Sequence, residues 1–172
     1  MISLRGIVEG NPFRQYPQLR TIWPAEFTEI AEEAARDAIA HMPFTDVGGL
    51  YLVLAGDQVI GITGFFYCDS EEEPYLRWHG IIPAERSKGY SRAALRLVVE
   101  RIKAKLPNAC GLTELVPQNA EGPGIAAHFA ALGFENAGPL ERYDWSICPW
   151  QPVRLNIAHG VPRPLVRAAA QV

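Results

Sequence analysis

Hydrophobic and polar positions divide the chain into short alternating and helical stretches. Ile2, Leu4, Ile7 and Val8 predict an opening strand over Ile2 to Glu9, and Asn11 to Arg20 reads as a polar, proline-broken connection. Pro24 suits a first helical position. Behind it Phe27, Ile30, Ala31, Ala34 and Ala38 recur at three or four residues, predicting a helix that ends at His41, Met42 and Pro43. Leu50 to Ala55 and Val59 to Tyr67 flank Gly56-Asp57-Gln58 and predict a hairpin. A charged loop, Cys68 to Pro74, precedes a strand from Tyr75 to Ile82 that stops at Pro83. From about Ser91 to Leu106, Ala94, Leu95, Val98, Ile102 and Leu106 share one helical face, with Arg92, Arg96, Glu100 and Lys103 outside. A strand over Cys110 to Val116, a short helix over Ile125 to Leu132 and alternation around Arg142 to Ile147 follow.

This order, with one strand–loop–helix–strand unit at its centre, predicts a mixed α/β layer arrangement. The expected domain is 1–148. Residues 149–172 carry four prolines and little periodicity, and read as a wrapping tail or a partner arm rather than core. Val153 to Ile157 is the tail's one strand-like piece, a candidate for packing across a homodimer.

Composition narrows the function classes. In 172 residues, 16 basic and 19 acidic side chains leave a net charge of −3, which removes the basic face of a nucleic-acid binder. No apolar run is long enough to span a bilayer and no signal peptide opens the chain, so a cytoplasmic location is expected. Cys68, Cys110 and Cys148 are widely spaced and include no Cys-x-x-Cys pair, so neither a disulfide framework nor a metal site is expected.

The chemistry concentrates between Pro83 and Arg92. A strand feeds Arg86-Ser87-Lys88-Gly89-Tyr90-Ser91, which opens a helix. Unpaired N–H groups of a first helical turn and the positive end of its dipole suit a bulky anion such as a diphosphate; a solvated basic turn is the plainer alternative. No G-x-G-x-x-G, Walker loop, G-x-S-x-G or H-E-x-x-H occurs.

Ile81-Ile82-Pro83-Ala84-Glu85-Arg86-Ser87-Lys88-Gly89-Tyr90-Ser91 resembles motif A of the GNAT acyltransferases, with its Arg/Gln-x-x-Gly-x-Gly/Ala loop. Glu114 to Asn119 resembles the family's next strand. Ala127 to Phe134 resembles its Tyr-x-x-Leu-Gly-Phe signature. The resemblance implies a GNAT fold: a mixed, mostly antiparallel central sheet, splayed at the acyl-CoA cleft and flanked by helices. It implies acetyl-CoA as co-substrate and an N-acetyltransferase acting on a primary amine, small molecule or protein, by direct attack. A catalytically quiet module that binds CoA or a protein is the alternative, and an anion-binding domain of another kind is a third.

By the same resemblance, Arg86, Ser87, Lys88, Gly89, Tyr90 and Ser91 would receive the pyrophosphate. Ile81 and Ile82 would pair with the pantetheine arm through their backbone and polarise the thioester carbonyl, and Asn119 would contact the cofactor. Glu114 stands where some members carry a general base, or is a structural carboxylate. His79 is a second proton-handling candidate, or a wall residue. Tyr75, placed by strict alternation on the face of His79 and Ile81, would line the acceptor site with Glu73, in an acidic rim of Glu29, Glu32, Glu33 and Glu71 to Glu73 that is otherwise a solvated helix face and loop. Trp23, Phe66, Tyr67 and Trp78 are either pocket walls or core. Three departures from the pattern stand out. Ser91 replaces a glycine or alanine. Phe129 replaces the tyrosine that protonates the leaving thiolate, with Tyr90 or His128 as substitutes. Gly122-Pro123-Gly124 lengthens the segment after Asn119.

Overall fold

A computed structural model describes residues 1–7, 9–41, 48–68, 72–142 and 148–158. The elements run β1 (Ile2–Gly6), α1 (Pro12–Gln15), a 3-10 turn (Pro17–Thr21), α2 (Ala25–His41), β2 (Gly49–Ala55), β3 (Gln58–Cys68), β4 (Glu73–Ile81), a 3-10 turn (Pro83–Glu85), α3 (Tyr90–Lys105), β5 (Gly111–Pro117), α4 (Gly122–Leu132), β6 (Glu135–Asn136) and β7 (Trp150–Asn156). One seven-stranded sheet has the order β1-β2-β3-β4-β5-β7-β6. All its pairings are antiparallel except β4 with β5. The mixed, mostly antiparallel sheet with flanking helices is as expected.

Local chemistry explains the elements. Asn11 caps α1, its Oδ1 accepting from the N–H groups of Phe13 (2.9 Å) and Arg14 (3.3 Å). The segment read as a mere connection buries Phe13 and Leu19 almost completely, so it contributes to the core. Gly56 turns the β2–β3 hairpin at φ +61°, and Gln58 already pairs with Ala55. In α2 the buried stripe is Phe27, Thr28, Ala31 and Ala35. Ile30, expected in it, is 37% exposed, because the sheet meets the helix one residue away from the predicted stripe. Ala94, Leu95, Val98 and Ile102 of α3 are buried as expected, and Val99 joins them. α4 stops where Gly133 takes φ +101°, its N–H donating to Ala130 O (3.0 Å) while Phe134 N–H donates to Phe129 O (3.0 Å). The Leu132-Gly133-Phe134 pattern is thus a helix stop.

The largest difference from the sequence reading is β7. Residues 150–156, read as tail, lie between β5 and β6 in the sheet, with Val153, Leu155 and Ile157 buried beside α3 and α4. Pro152 is tolerated in the strand because proline still offers a carbonyl, which accepts from Ala137 N–H (3.0 Å). A strand read as a contact to a second copy is therefore interior to this chain. The strand expected around Arg142 to Ile147 falls on residues 143–147, outside the described residues, as do Glu71 and residues 159–172.

Candidate functional site

The site is built on a sheet that opens. β4 and β5 run parallel, and their register is carried by a single pair, Tyr75 with Thr113. Beyond it the two strands diverge, leaving a slot between the second half of β4 and Glu114 to Pro117 of β5. No further ladder pair joins the two edges among the described residues; Ile81 O accepts from the Arg86 side chain and Val116 O from that of Gln118.

A bulge in β4 shapes one lip of the slot. Ile62 pairs with Gly80 and Gly64 with Arg77, so Trp78 and His79 together oppose Thr63. Trp78 takes φ +48°. Arg77 and Trp78 consequently both lean toward the layer of α2, Arg77 donating to Ala34 O (3.3 Å) and Trp78 meeting Trp23 edge-on at 5.5 Å. Alternation resumes with His79 on the opposite face, toward α3. This corrects the expectation that Tyr75 shares a face with His79 and Ile81. Tyr75 stays on the α2 face, stacked on Phe66 at 5.5 Å.

His79 is buried, and burial, with the nearby His128, pushes it down to about 3, so its imidazole is neutral. Both ring nitrogens are engaged, Nδ1 with Thr63 Oγ1 (2.9 Å) and Nε2 with Ser91 Oγ (2.7 Å). An unfolded chain takes up a proton on this histidine below pH 6.5 and the folded one does not until far lower. Stability from His79 is thus present above pH 6.5 and lost as pH falls toward 3. Thermal melts should show a loss on the order of 2 kcal/mol between pH 6.5 and 4.5, shallower by that amount in His79→Gln. Equal slopes would mean the imidazole charges freely.

Ile81 offers a backbone N–H to the slot. Ile82 N–H donates to Ile60 O (2.9 Å) across to β3, and hydrogen-bonded pairs alternate, so the N–H of Ile81 turns to the β5 side. Ile82, named with it as a backbone contact, has its N–H committed to β3.

The loop behind β4 is held by Arg86. Its Nε donates to Ile81 O (3.1 Å) and its Nη2 to Ile22 O (2.6 Å), tying the loop to β4 and to the segment before α2. Its backbone N–H donates to Pro83 O (3.2 Å). The guanidinium therefore works first as a brace. Arg86→Ala should cost about 1.5–3 kcal/mol in denaturant unfolding, and Arg86→Lys should recover less than half, since an ammonium cannot span two carbonyls in a fixed fork. Full recovery by lysine would refute the brace.

Ser87 at φ +62° and Gly89 at φ +77° curl the loop into α3. No side chain caps this helix, and the bond from Ala93 N–H to Gly89 O (3.1 Å) is its first. The N–H groups of Tyr90 and Ser91 precede that bond and point out of the helix start, at its positive dipole end. A side chain on Gly89 would meet nothing within 4 Å, so the backbone there stands open. Lys88 pairs with Glu85 (2.8 Å), which raises its pKa, and Tyr90 packs on the β2–β3 core.

On β5, Glu114 alternates with Leu112 and Val116, which pack on α3 and α4, so it shares the α3 face with His79. Desolvation pushes its carboxyl up to about 8, against the N–H of Leu115, which donates to Oε1 at 2.9 Å. Asn119 caps the turn into α4, its Oδ1 accepting from Glu121 N–H (3.1 Å) and Gly122 N–H (3.2 Å). Within the expected acidic rim Glu73 pairs with Arg154 of β7 (2.6 Å) and Glu32 with Arg20, while Glu29 and Glu33 are exposed. No group of three metal-ligating side chains occurs among the described residues.

The structure thus places Glu114, His79 and Ile81 on the α3 face of the sheet, with His79 tied to the start of α3 through Ser91, while Tyr75 and Glu73 lie on the other sheet face. Sequence reading missed Thr63 and the bulge, which depend on strand register and leave no mark in a single strand's pattern.

A family model described as the acetyltransferase (GNAT) family matches residues 16–134. No curated protein matches the chain by sequence. Among solved structures, one described as an acetyltransferase of the GNAT family from Desulfovibrio desulfuricans is 17% identical, with a TM-score of 0.71 over 92% of this chain and 100% of that one. An acetyltransferase from Thermus thermophilus is 15% identical (TM-score 0.63; 91% and 97% covered). The spermidine N-acetyltransferase of Vibrio cholerae, solved in complex with CoA and spermine, is 15% identical (TM-score 0.59; 90% and 95% covered). These likenesses describe a shared fold.

Proposed function

The chain belongs to the GNAT acetyltransferase family, and from that premise we propose that it transfers an acetyl group from acetyl-CoA to a primary amine by direct attack in a ternary complex. The observation that carries this reading is the slot between β4 and β5, held by the single pair Tyr75–Thr113 and ending at the uncapped start of α3. One opening offers an extended thioester a strand edge to pair with and its diphosphate a helix terminus.

In this reading the N–H groups of Ser87 to Ser91 hold the diphosphate and Ile81 pairs with the pantetheine arm. The N–H of Ile81 stabilises the developing oxyanion, the kind of interaction that dominates acyl transfer. Asn119 keeps its side-chain NH2 for the cofactor while its oxygen caps α4. Glu114 takes the proton from the attacking amine; a carboxylate made more basic by burial suits that task near neutral pH. The amine nitrogen bonds to the carbonyl carbon, the carbon–sulfur bond breaks, and the sulfur leaves as a thiolate, since Phe129 has no proton to give. The acceptor would enter from the α2 face, where Tyr75 and Glu73 would meet it, and pass its amine into the slot toward Glu114. With Glu73 and Glu32 already paired to arginines, that face attracts a cation less than the bare carboxylates imply.

Phe129 favours a second reading, a CoA-binding module without turnover. Thiol release from acetyl-CoA over a panel of amines, spermine and spermidine included, decides. Release with at least one amine supports the enzyme; tight CoA binding with no release supports the module. No CoA binding by calorimetry overturns both.

A further inference from the structure

One chain of hydrogen bonds is left over from this mechanism. Thr63 on β3, His79 on the β4 bulge, Ser91 in the first turn of α3 and His128 on α4 are linked in series. Thr63 Oγ1 lies 2.9 Å from His79 Nδ1, His79 Nε2 lies 2.7 Å from Ser91 Oγ, and Ser91 Oγ lies 3.0 Å from His128 Nε2. The two imidazoles lie nearly parallel, 21° apart with centroids at 6.5 Å, and both border the ring of Phe129. The chain runs from the fully buried Thr63 to His128 at the surface.

Its chemistry is constrained. Each imidazole when neutral has one donor and one acceptor, and each hydroxyl has one proton. The series is satisfied in two directions. In one, Thr63 donates to His79, His79 to Ser91 and Ser91 to His128. In the other, every donor and acceptor exchanges. A proton added at His128 makes both its nitrogens donors and ends the bond it accepts from Ser91; the freed serine proton then favours the second direction, with Ser91 donating to Nε2 of His79 and Nδ1–H of His79 donating to Thr63. A proton at the surface thus biases the tautomer of a buried histidine through one serine hydroxyl.

We propose that Ser91 and His128 are positioning residues, and that the Thr63–His79–Ser91–His128 chain presets the cofactor slot by locking the first turn of α3 to the bulge of β4. This rests on the acetyl-CoA reading above for its ligand. Ser91 Oγ is pinned from two elements at once. The N–H of the same residue is one of the uncapped donors at the helix start, so fixing the side chain aims the donor. The bulge that places His79 also places the N–H of Ile81 two residues on. The two ends of the slot are therefore held in register before a ligand arrives, which lowers the ordering cost of binding. The serine in place of the glycine or alanine of the family pattern supplies the hydroxyl this requires.

The groups facing His128 are His79 from β4, Arg86 from the loop, and Ser91 and Arg92 from α3, while Glu114 of β5 lies on the same sheet face. Burial and the two guanidinium groups hold His128 below its ordinary value. Arg92 also donates to Ala131 O, tying α3 to α4 beside it.

The test is in two parts, both on the full chain. Ring nitrogen shifts of 15N-labelled histidines are followed from pH 8 to 4.5 in the free protein, in Ser91→Ala, and in Ser91→Thr, which restores the hydroxyl. His79 should stay neutral yet shift to the Nδ1–H tautomer as His128 titrates. That response should vanish in Ser91→Ala and return in Ser91→Thr. A His79 signal indifferent to the titration of His128 in the unaltered protein overturns the chain. Calorimetry with CoA at pH 7.5 reads the role: Ser91→Ala should bind about 5–20-fold more weakly, about the range expected for losing one or two hydrogen bonds, and Ser91→Thr should recover most of that affinity. An unchanged Kd in folded Ser91→Ala overturns the positioning role. If the unaltered protein binds no CoA, the acetyl-CoA reading fails instead, while the nitrogen shifts still report on the chain.

Discussion

Gly89→Val is expected to weaken acetyl-CoA binding by at least about 100-fold while leaving the protein folded. Gly89 sits at φ +77° immediately before α3, and a side chain there meets no atom within 4 Å. Packing therefore does not forbid a larger residue; the backbone does. A Cβ in the left-handed region costs about 1–2 kcal/mol, and a β-branched residue is worse placed still. The loop can escape that strain only by re-aiming the N–H groups of Tyr90 and Ser91. If it does not, the valine methyls occupy the open space in front of them. Both routes remove the same cradle. Gly89→Asn separates them, because asparagine tolerates positive φ: its thermal stability should stay close to that of the unaltered chain, while that of the valine variant falls. Calorimetric titration with CoA on protein with an unchanged far-UV spectrum is the measurement. A Gly89→Val protein that binds CoA as before would remove the diphosphate from this loop.

Glu114→Gln is expected to lower kcat by about 10²–10⁴ with CoA affinity changed less than twofold, the loss typical of removing a general base. The pH dependence follows from burial. With its carboxyl pushed up to about 8, the unaltered protein should gain kcat/KM as pH rises toward 8 and level off above it, and the variant should not. Stability moves the other way. A carboxyl whose folded pKa lies above its unfolded value favours folding below about pH 4.5, and that contribution is lost as pH rises through about 8. The residue keeps some solvent exposure, which screens the penalty, so the glutamine variant should be more stable by on the order of 1–2 kcal/mol at pH 9 and nearly equal at pH 5. Unchanged turnover would make Glu114 a structural carboxylate; a lowered turnover without the pH signature would place the base elsewhere.

Much of this architecture is visible in the order of residues, for identifiable reasons. α3 announces itself because Ala94, Leu95, Val98 and Ile102 repeat at the helical period, and the β2–β3 hairpin because Gly56 and Asp57 interrupt two apolar runs. Val153 to Ile157 reads as strand-like, but the place of β7 in the sheet is hidden because Pro152 and the polar residues around it mimic a tail. Its inward face shows only once β5 and β6 are in place to receive Val153 and Leu155. The stripe of α2 slipped by one residue at Ile30, since small alanines leave the helix face poorly marked.

The candidate site divides the same way. Arg86, Lys88 and Gly89 stand out locally, because a basic turn with glycine ahead of a helix is a contiguous feature. What each does is not local. Arg86 braces backbone at Ile22 and Ile81 and so is committed before any anion arrives, and Glu73 spends its charge on Arg154, eighty-one positions away. Strict alternation put Tyr75 beside His79, and one extra residue opposite Thr63 turned them to opposite faces.

The sequence by itself determined the periods of α3 and of the β2–β3 hairpin, the turn residues, the charge of the loop before α3 and the order of the elements from β2 to α4. These depend on neighbours a few positions apart, where backbone geometry dictates which side chains share a face. Only the tertiary structure decided that β4 bulges, that β5 parts from it after one pair, that a strand from beyond Pro149 completes the sheet, and that Thr63, His79, Ser91 and His128 form one chain. Those outcomes are contacts between segments distant in sequence, and strand register, which a single strand's pattern leaves open, is what brings them together.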